Sequence, residues 1–114
     1  MGYYTYFTVS WDRHSDGLID IAIEEKFNDL TGINCDSWDT ANKHVLGFLA
    51  KWYYWEDDIN KLSRMYPDIV FEVSGDGDNS EDLWSSIWKD GCYEYQEAII
   101  PPFTGQMKEY KEAN

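Results

Sequence analysis

The tightest constraint in this 114-residue chain is a change of period at a single proline. Before Pro67, Trp55-Glu56-Asp57-Asp58 leads into Ile59, Leu62 and Met65, which recur at i, i+3 and i+6. That spacing predicts a helix, and its first-turn acids favour the positive end of the helix dipole. Pro67 stops it, because the residue before a proline is pushed out of the α region. After it, Ile69-Val70-Phe71-Glu72-Val73 has the β-branched and aromatic make-up of a buried strand. Gly75-Asp76-Gly77-Asp78-Asn79-Ser80-Glu81-Asp82 then reads as a solvated loop.

A second local signal follows. Leu83–Lys89 and Cys92–Ile100 flank Asp90-Gly91, and Asp-Gly between two strand-like runs predicts a β-hairpin. Trp84, Ser86 and Trp88 alternate with Leu83, Ser85 and Ile87, so both tryptophans fall on one face.

Upstream, Tyr3–Arg13 predicts a strand with Phe7, Val9 and Trp11 on its better-buried face. Leu18–Leu30 predicts a helix with Ile19, Ile23, Phe27 and Leu30 on one stripe, capped at Thr31-Gly32. Thr40–Lys51 reads as a short helix capped by Asp36 or Ser37, with Ala41, Val45, Leu46, Phe48 and Leu49 as core positions. It either continues into the Trp55 helix or breaks near Gly47. Pro101-Pro102 ends the last strand, and 103–114 is expected to be a loosely docked or frayed tail. The order β-α-α-β-β-β predicts one α+β domain over 1–114: a small antiparallel sheet of about four strands with helices on one face.

Charge narrows the functional classes. The chain holds 22 Asp and Glu against 9 Lys and Arg, a formal net charge of −13. Solubility in a small domain is usually met by net charges of about 2–8 in magnitude. A field of this sign repels nucleic acid and anionic membranes and attracts basic protein surfaces. Six Trp, nine Tyr and five Phe supply the burial that offsets self-repulsion, with some available for contacts. The amino terminus, MGYYTYFTVSW, lacks the features of a signal peptide, and no run approaches the ~18 apolar residues of a membrane span. Met1-Gly2 is a poor myristoylation signal, since Tyr6 stands where Ser or Thr is wanted. Cys35 and Cys92 are expected to be reduced thiols.

Catalytic and metal motifs are weak. Asp76–Asp82 has oxygen ligands in calcium-loop spacing, but Glu81 and Ile87 stand where an EF-hand needs glycine and glutamate. Pro67-Asp68 and Glu72 resemble nuclease acids, yet Ser74 replaces the required lysine. His14, His44, Cys35 and Cys92 have no close zinc-ligand spacing, and His44 is expected on a helix, at the surface or partly packed. Paired carboxylates such as Glu24/Glu25 are expected in any chain this acidic. No enzyme, metal or cofactor is predicted.

What remains is acid beside aromatic. Glu56, Asp57, Asp58, Asp76, Asp78, Glu81 and Asp82 are the candidate partner-binding carboxylates, with Trp84 and Trp88 as apolar anchors. The stretch KWYYWEDDINKLSRMYPDIVFEVSGDGD resembles a segment of small acidic proteins encoded by phages and mobile elements of Gram-positive bacteria. The likeness covers Lys51–Gly91, roughly a third of the chain. Some small proteins of that setting are anti-CRISPR inhibitors, many of them acidic nucleic-acid mimics. The resemblance therefore implies a non-enzymatic inhibitor in the bacterial cytoplasm whose partner is a basic protein, most naturally a CRISPR effector nuclease. The alternative is an adaptor that binds its partner through exposed aromatics.

Overall fold

The computed structural model describes residues 4–77, 83–97 and 104–111. The elements are β1 (Thr5–Asp12), α1 (Gly17–Thr31), β2 (Asp36–Asp39), β3 (Lys43–Ala50), α2 (Trp55–Met65), β4 (Phe71–Asp76), β5 (Leu83–Lys89), β6 (Cys92–Glu97) and β7 (Lys108–Glu109). The architecture is α+β. The seven strands among the described residues form one antiparallel sheet in the order β2-β3-β1-β4-β5-β6-β7. The expected sheet of about four strands was thus too small, and the expected element order changes with it.

The largest correction lies at Thr40–Lys51. This stretch is no helix but β3, the partner of β1 on one side and β2 on the other. Asp36 and Ser37 are not caps; they begin β2. His44 accordingly sits on a strand and is buried. Elsewhere most local signals match the elements, with three exceptions: Gly75 and Asp76, expected in a solvated loop, end β4 with Gly75 buried; β4 begins at Phe71 and not at Ile69; and Ile19, expected on the α1 stripe, is exposed. Asp16 caps α1 by accepting from the Leu18 N–H at 3.0 Å, and Gly32 ends it in the left-handed region at φ 70. Asp90 and Gly91 both have positive φ, 49 and 78, the pattern of a type I′ hairpin turn.

Register sorts the side chains onto two faces. Phe7, Val9 and Trp11 of β1 lie beside Phe48, Leu46 and His44 of β3, and Val9 beside Val73 of β4. This face meets both helices: Ile23 and Phe27 of α1 and Ile59 and Leu62 of α2 join the same core. The three tryptophans most deeply placed there each satisfy the indole N–H, Trp11 on Asp20 at 2.9 Å, Trp52 on Asp58 at 2.7 Å and Trp88 on Ser86 at 2.9 Å.

Within the stretch read as a loose tail, Lys108–Glu109 pairs with β6, and Tyr110 packs against Trp88 and Tyr93. Tyr110 also donates its backbone N–H to the Gly91 carbonyl, while the Gly91 N–H donates to Ser63 Oγ at 2.9 Å. The β5–β6 turn is therefore clasped between α2 and β7. No helix among the described residues is long and apolar enough to cross a membrane.

Candidate functional site

The start of α2 meets one end of the sheet through stacked aromatic rings. Trp55, the first helical residue, stacks on Trp84 of β5 with centroids 4.5 Å apart. Trp84 stacks in turn on Tyr95 of β6 at 5.6 Å and meets the edge of Phe7 at 6.0 Å. The Trp84 indole lies directly over Gly75, where a Cβ would come within 2.3 Å of the ring. Only glycine lets the indole lie flat on β4 at that point. Phe7, Trp52, Trp55 and Trp84, with Lys51 and Tyr53, line a cavity of about 270 Å³ beside the stack.

The candidate carboxylates fall into four groups. Glu56 reaches solvent, and partial burial of its carboxyl, reinforced by the Asp57 charge, pushes its pKa up. Asp57 and Asp58 are half-buried and carry internal bonds: Asp57 accepts from the Tyr110 hydroxyl at 2.5 Å and Asp58 from Trp52. Their first task is therefore to anchor α2 to the sheet and to the Tyr110 segment. Asp76 is exposed at the last position of β4, opposite Leu83 of β5. Asp78, Glu81 and Asp82 lie outside the described residues.

Because Trp55 stacks on Trp84, and Trp84 follows Leu83, α2 begins at the same end of the sheet where β4 ends and β5 starts. Glu97 belongs to that end too, opposite Trp84. Burial, the Glu97 carboxylate beside it and the Glu56 charge push the Tyr95 phenol up to about 12. Glu56, Asp76 and Glu97 thus share one end of the molecule, Glu56 and Glu97 on the side of α2 and Asp76 on the opposite face of the sheet.

One of the two tryptophan anchors is not at the surface. Trp88 is fully buried between β4, α2 and Tyr110, so it belongs to the core and offers no surface. Trp84 is half-buried within the stack. The most exposed aromatics at this end are Tyr53 and Tyr54, 68% and 73% accessible, with Tyr4 beneath the Lys51 ammonium at 4.9 Å and Tyr6 and Tyr95 exposed to a lesser degree. The signal for them was the run Trp52-Tyr53-Tyr54-Trp55 at the junction of strand and helix. There, both tryptophans turn inward and both tyrosines turn out.

A second polar constellation lies at the other flank. Asp20, buried in α1, accepts from Trp11 Nε1 at 2.9 Å and from the His14 backbone N–H at 3.1 Å, and contacts His14 Nδ1 at 2.8 Å. His44 lies between two carboxylates, Asp39 at 2.5 Å and Glu24 at 3.0 Å. No nucleophile accompanies either histidine in the described contacts. Among the described residues no three His, Cys, Asp or Glu side chains are grouped to hold a metal ion. Cys35 and Cys92 are free thiols.

Comparison with family models, with curated proteins and with solved structures returned no match to this chain.

Proposed function

We propose that this protein is a non-enzymatic inhibitor encoded by a phage or mobile element, of the anti-CRISPR kind. In this reading it acts in the bacterial cytoplasm, and its carboxylates take phosphate positions in the basic groove of a defence nuclease, a CRISPR effector. The observation that carries it is charge left unpaired. Acids outnumber bases 22 to 9, yet between described residues only Lys43–Asp12 and Arg64–Glu109 form ion pairs of Lys or Arg with a carboxylate. A folded chain that tolerates this much like charge lowers its own stability and gains a steep attraction for cationic surfaces. The shared position of Glu56, Asp76 and Glu97 at one end of the sheet, beside Tyr53 and Tyr54, supports that end as the contact surface.

The test is an affinity measurement against a panel of purified CRISPR effector nucleases across a salt series. Binding that weakens steeply as salt rises, and that the triple reversal Glu56→Lys, Asp76→Lys, Glu97→Lys abolishes, supports mimicry. Binding indifferent to both salt and reversal removes it. A second reading, an adaptor that grips its partner through aromatics, is favoured by the exposure of Tyr53 and Tyr54. It requires the reverse pattern: Tyr53→Ala with Tyr54→Ala abolishes binding, and the charge reversals leave it intact.

A further inference from the structure

Both helices cover one face of the sheet; on the other, no described helix lies. Register arranges that open face in rows running across the strands. Leu49, Tyr6, Asp76 and Leu83 stand side by side on β3, β1, β4 and β5. Two residues further along come Gly47, Thr8, Ser74 and Ser85, and two further again Val45, Ser10, Glu72 and Ile87, with Trp38 of β2 beside Val45. The middle row is small and hydroxylic, with Ser74 Oγ and Ser85 Oγ 3.2 Å apart.

The flanking rows do not look like the solvated face of an antiparallel sheet, which ordinarily alternates to polar residues. Leu49 is 64% accessible, and Tyr6, Leu83 and Trp38 are each more than two-fifths accessible. Tyr6 and Trp38 converge over Gly47. The outer rows are four residues apart, about 13–14 Å at ~3.4 Å per residue. At β3 the rings of Tyr6 and Trp38 already cover the space between them, and Val45 and Ser10 are buried, so a helix of ~10–12 Å diameter rests on those rings rather than on the strand beneath. Glu72 and Asp76 belong to the outer rows and Asp36, opposite Gly47, extends the middle one; among the described residues no Lys or Arg belongs to them. The neighbouring cations are engaged, Lys43 with Asp12 at 2.9 Å and Lys51 over the Tyr4 ring.

We propose that this face is a docking surface for a basic amphipathic helix of a partner protein. The helix lies across β3, β1, β4 and β5. Its apolar side chains pack on Leu49, Tyr6, Leu83 and Trp38, and its Lys and Arg side chains reach Asp36, Glu72 and Asp76. Charge selects this occupant over a second copy of the chain, because two surfaces of −13 molecules bearing these acids repel one another. The inference concerns the sheet face and does not rest on the identity of any nuclease.

The probe is a designed amphipathic helix of Leu and Lys, ~14 residues or about 21 Å long, titrated into the isotopically labelled chain and followed by amide and indole NMR shifts. Saturable changes confined to Tyr6, Thr8, Leu49, Ser74, Leu83 and the Trp38 indole are expected. Leu49→Ser and Trp38→Ala, with the core amides of Val9 and Val73 unmoved, are expected to weaken binding by about tenfold each. A peptide with Glu in place of Lys is expected not to bind. Changes centred on α1 or α2, or undiminished affinity in a folded Leu49→Ser variant, overturn the proposal. Concentration-dependent dimerisation that shifts the same amides without peptide overturns the choice of occupant. Loss of the inhibitor reading leaves these outcomes untouched, since no nuclease enters the experiment.

Discussion

His44 Nε2 lies 3.0 Å from Glu24 Oε1, joining the start of β3 to α1 through a buried imidazole. Its other nitrogen meets Asp39 of edge strand β2 at 2.5 Å, and its ring packs on Trp11. Carboxylates only accept, so an imidazole that donates from both nitrogens is the protonated cation. Burial pushes its pKa down, but the bonds to Glu24 and Asp39 and the charges of Asp39 and Asp20 outweigh that, and the net shift is upward from 6.5. A raised folded-state pKa stabilises the fold fully below 6.5, and the contribution is lost as pH rises through the folded value. Denaturant midpoints are therefore expected to fall from pH 6 into the alkaline range, and His44→Gln is expected to flatten that slope while lowering stability by about 1–3 kcal/mol. A wild-type midpoint that stays level over this range contradicts the clamp.

Asp20 gives the opposite limb. Burial raises its pKa, but bonds from His14 and Trp11 prevail and hold the carboxyl below its usual 3.8. A lowered folded-state pKa contributes stability above 3.8 that is lost as pH falls through the lowered value. Asp20→Ala also leaves the Trp11 indole N–H without its acceptor, at about 1–3 kcal/mol. Acid unfolding followed by Trp fluorescence is expected to begin at higher pH in Asp20→Ala than in the wild type.

Much of the fold was legible because its signals are local: Gly32 at the end of α1, Pro67 after α2, and Asp90-Gly91 in the hairpin. β3 was not, and the reason is physical. It is a central strand covered on both faces, by α1 over Leu46 and Phe48 and by Trp38 over Val45 and Gly47. A strand buried on both sides loses its alternation and reads as a continuous apolar run, which period alone does not separate from a helix. The same limit applied to the candidate site. Alternation put Trp84 and Trp88 on one face, but which face met the helices depended on contacts from α2 and Tyr110, distant in sequence.

Gly75 tests the aromatic stack. A methyl group there enters the Trp84 ring, and the ring rests on Trp55, so it has no free path outward. Gly75→Ala is expected to lower stability by about 1–3 kcal/mol, the usual range for forcing extra volume into packed structure. Near-UV circular dichroism is expected to lose the Trp55–Trp84 signal. An unaltered spectrum and midpoint contradict the close approach.

Cys35 offers a chemical readout of the α1–β2 flank. Burial, then the Glu24 and Asp36 charges, push its thiol up to about 11, and Sγ donates to Asn28 Oδ1 at 3.4 Å. Since the thiolate is the nucleophile, alkylation of Cys35 is expected to be slow at neutral pH and still rising with pH beyond 10. Rates measured by mass spectrometry on a Cys92→Ser background isolate it. Glu24→Gln is expected to speed the reaction at neutral pH by removing one of the charges that oppose the thiolate.

Core and contact roles divide the aromatics around α2. Trp88 fills the space between β4, α2 and Tyr110, so Trp88→Ala leaves a cavity and is expected to destabilise the fold by about 3–5 kcal/mol. Tyr53 and Tyr54 project into solvent from the turn that starts α2, so Tyr53→Ala and Tyr54→Ala are expected to change stability by no more than about 0.5 kcal/mol. Aromatic side chains held at a rim of carboxylates contribute strongly when a partner desolvates them. The tyrosine variants are therefore expected to weaken partner binding while their unfolding midpoints match the wild type. Trp88→Ala is expected to lose binding only in step with its loss of folded protein. Equal destabilisation by all three substitutions would mean that the tyrosines are packed against something in solution, and the contact surface would have to be sought elsewhere on the molecule.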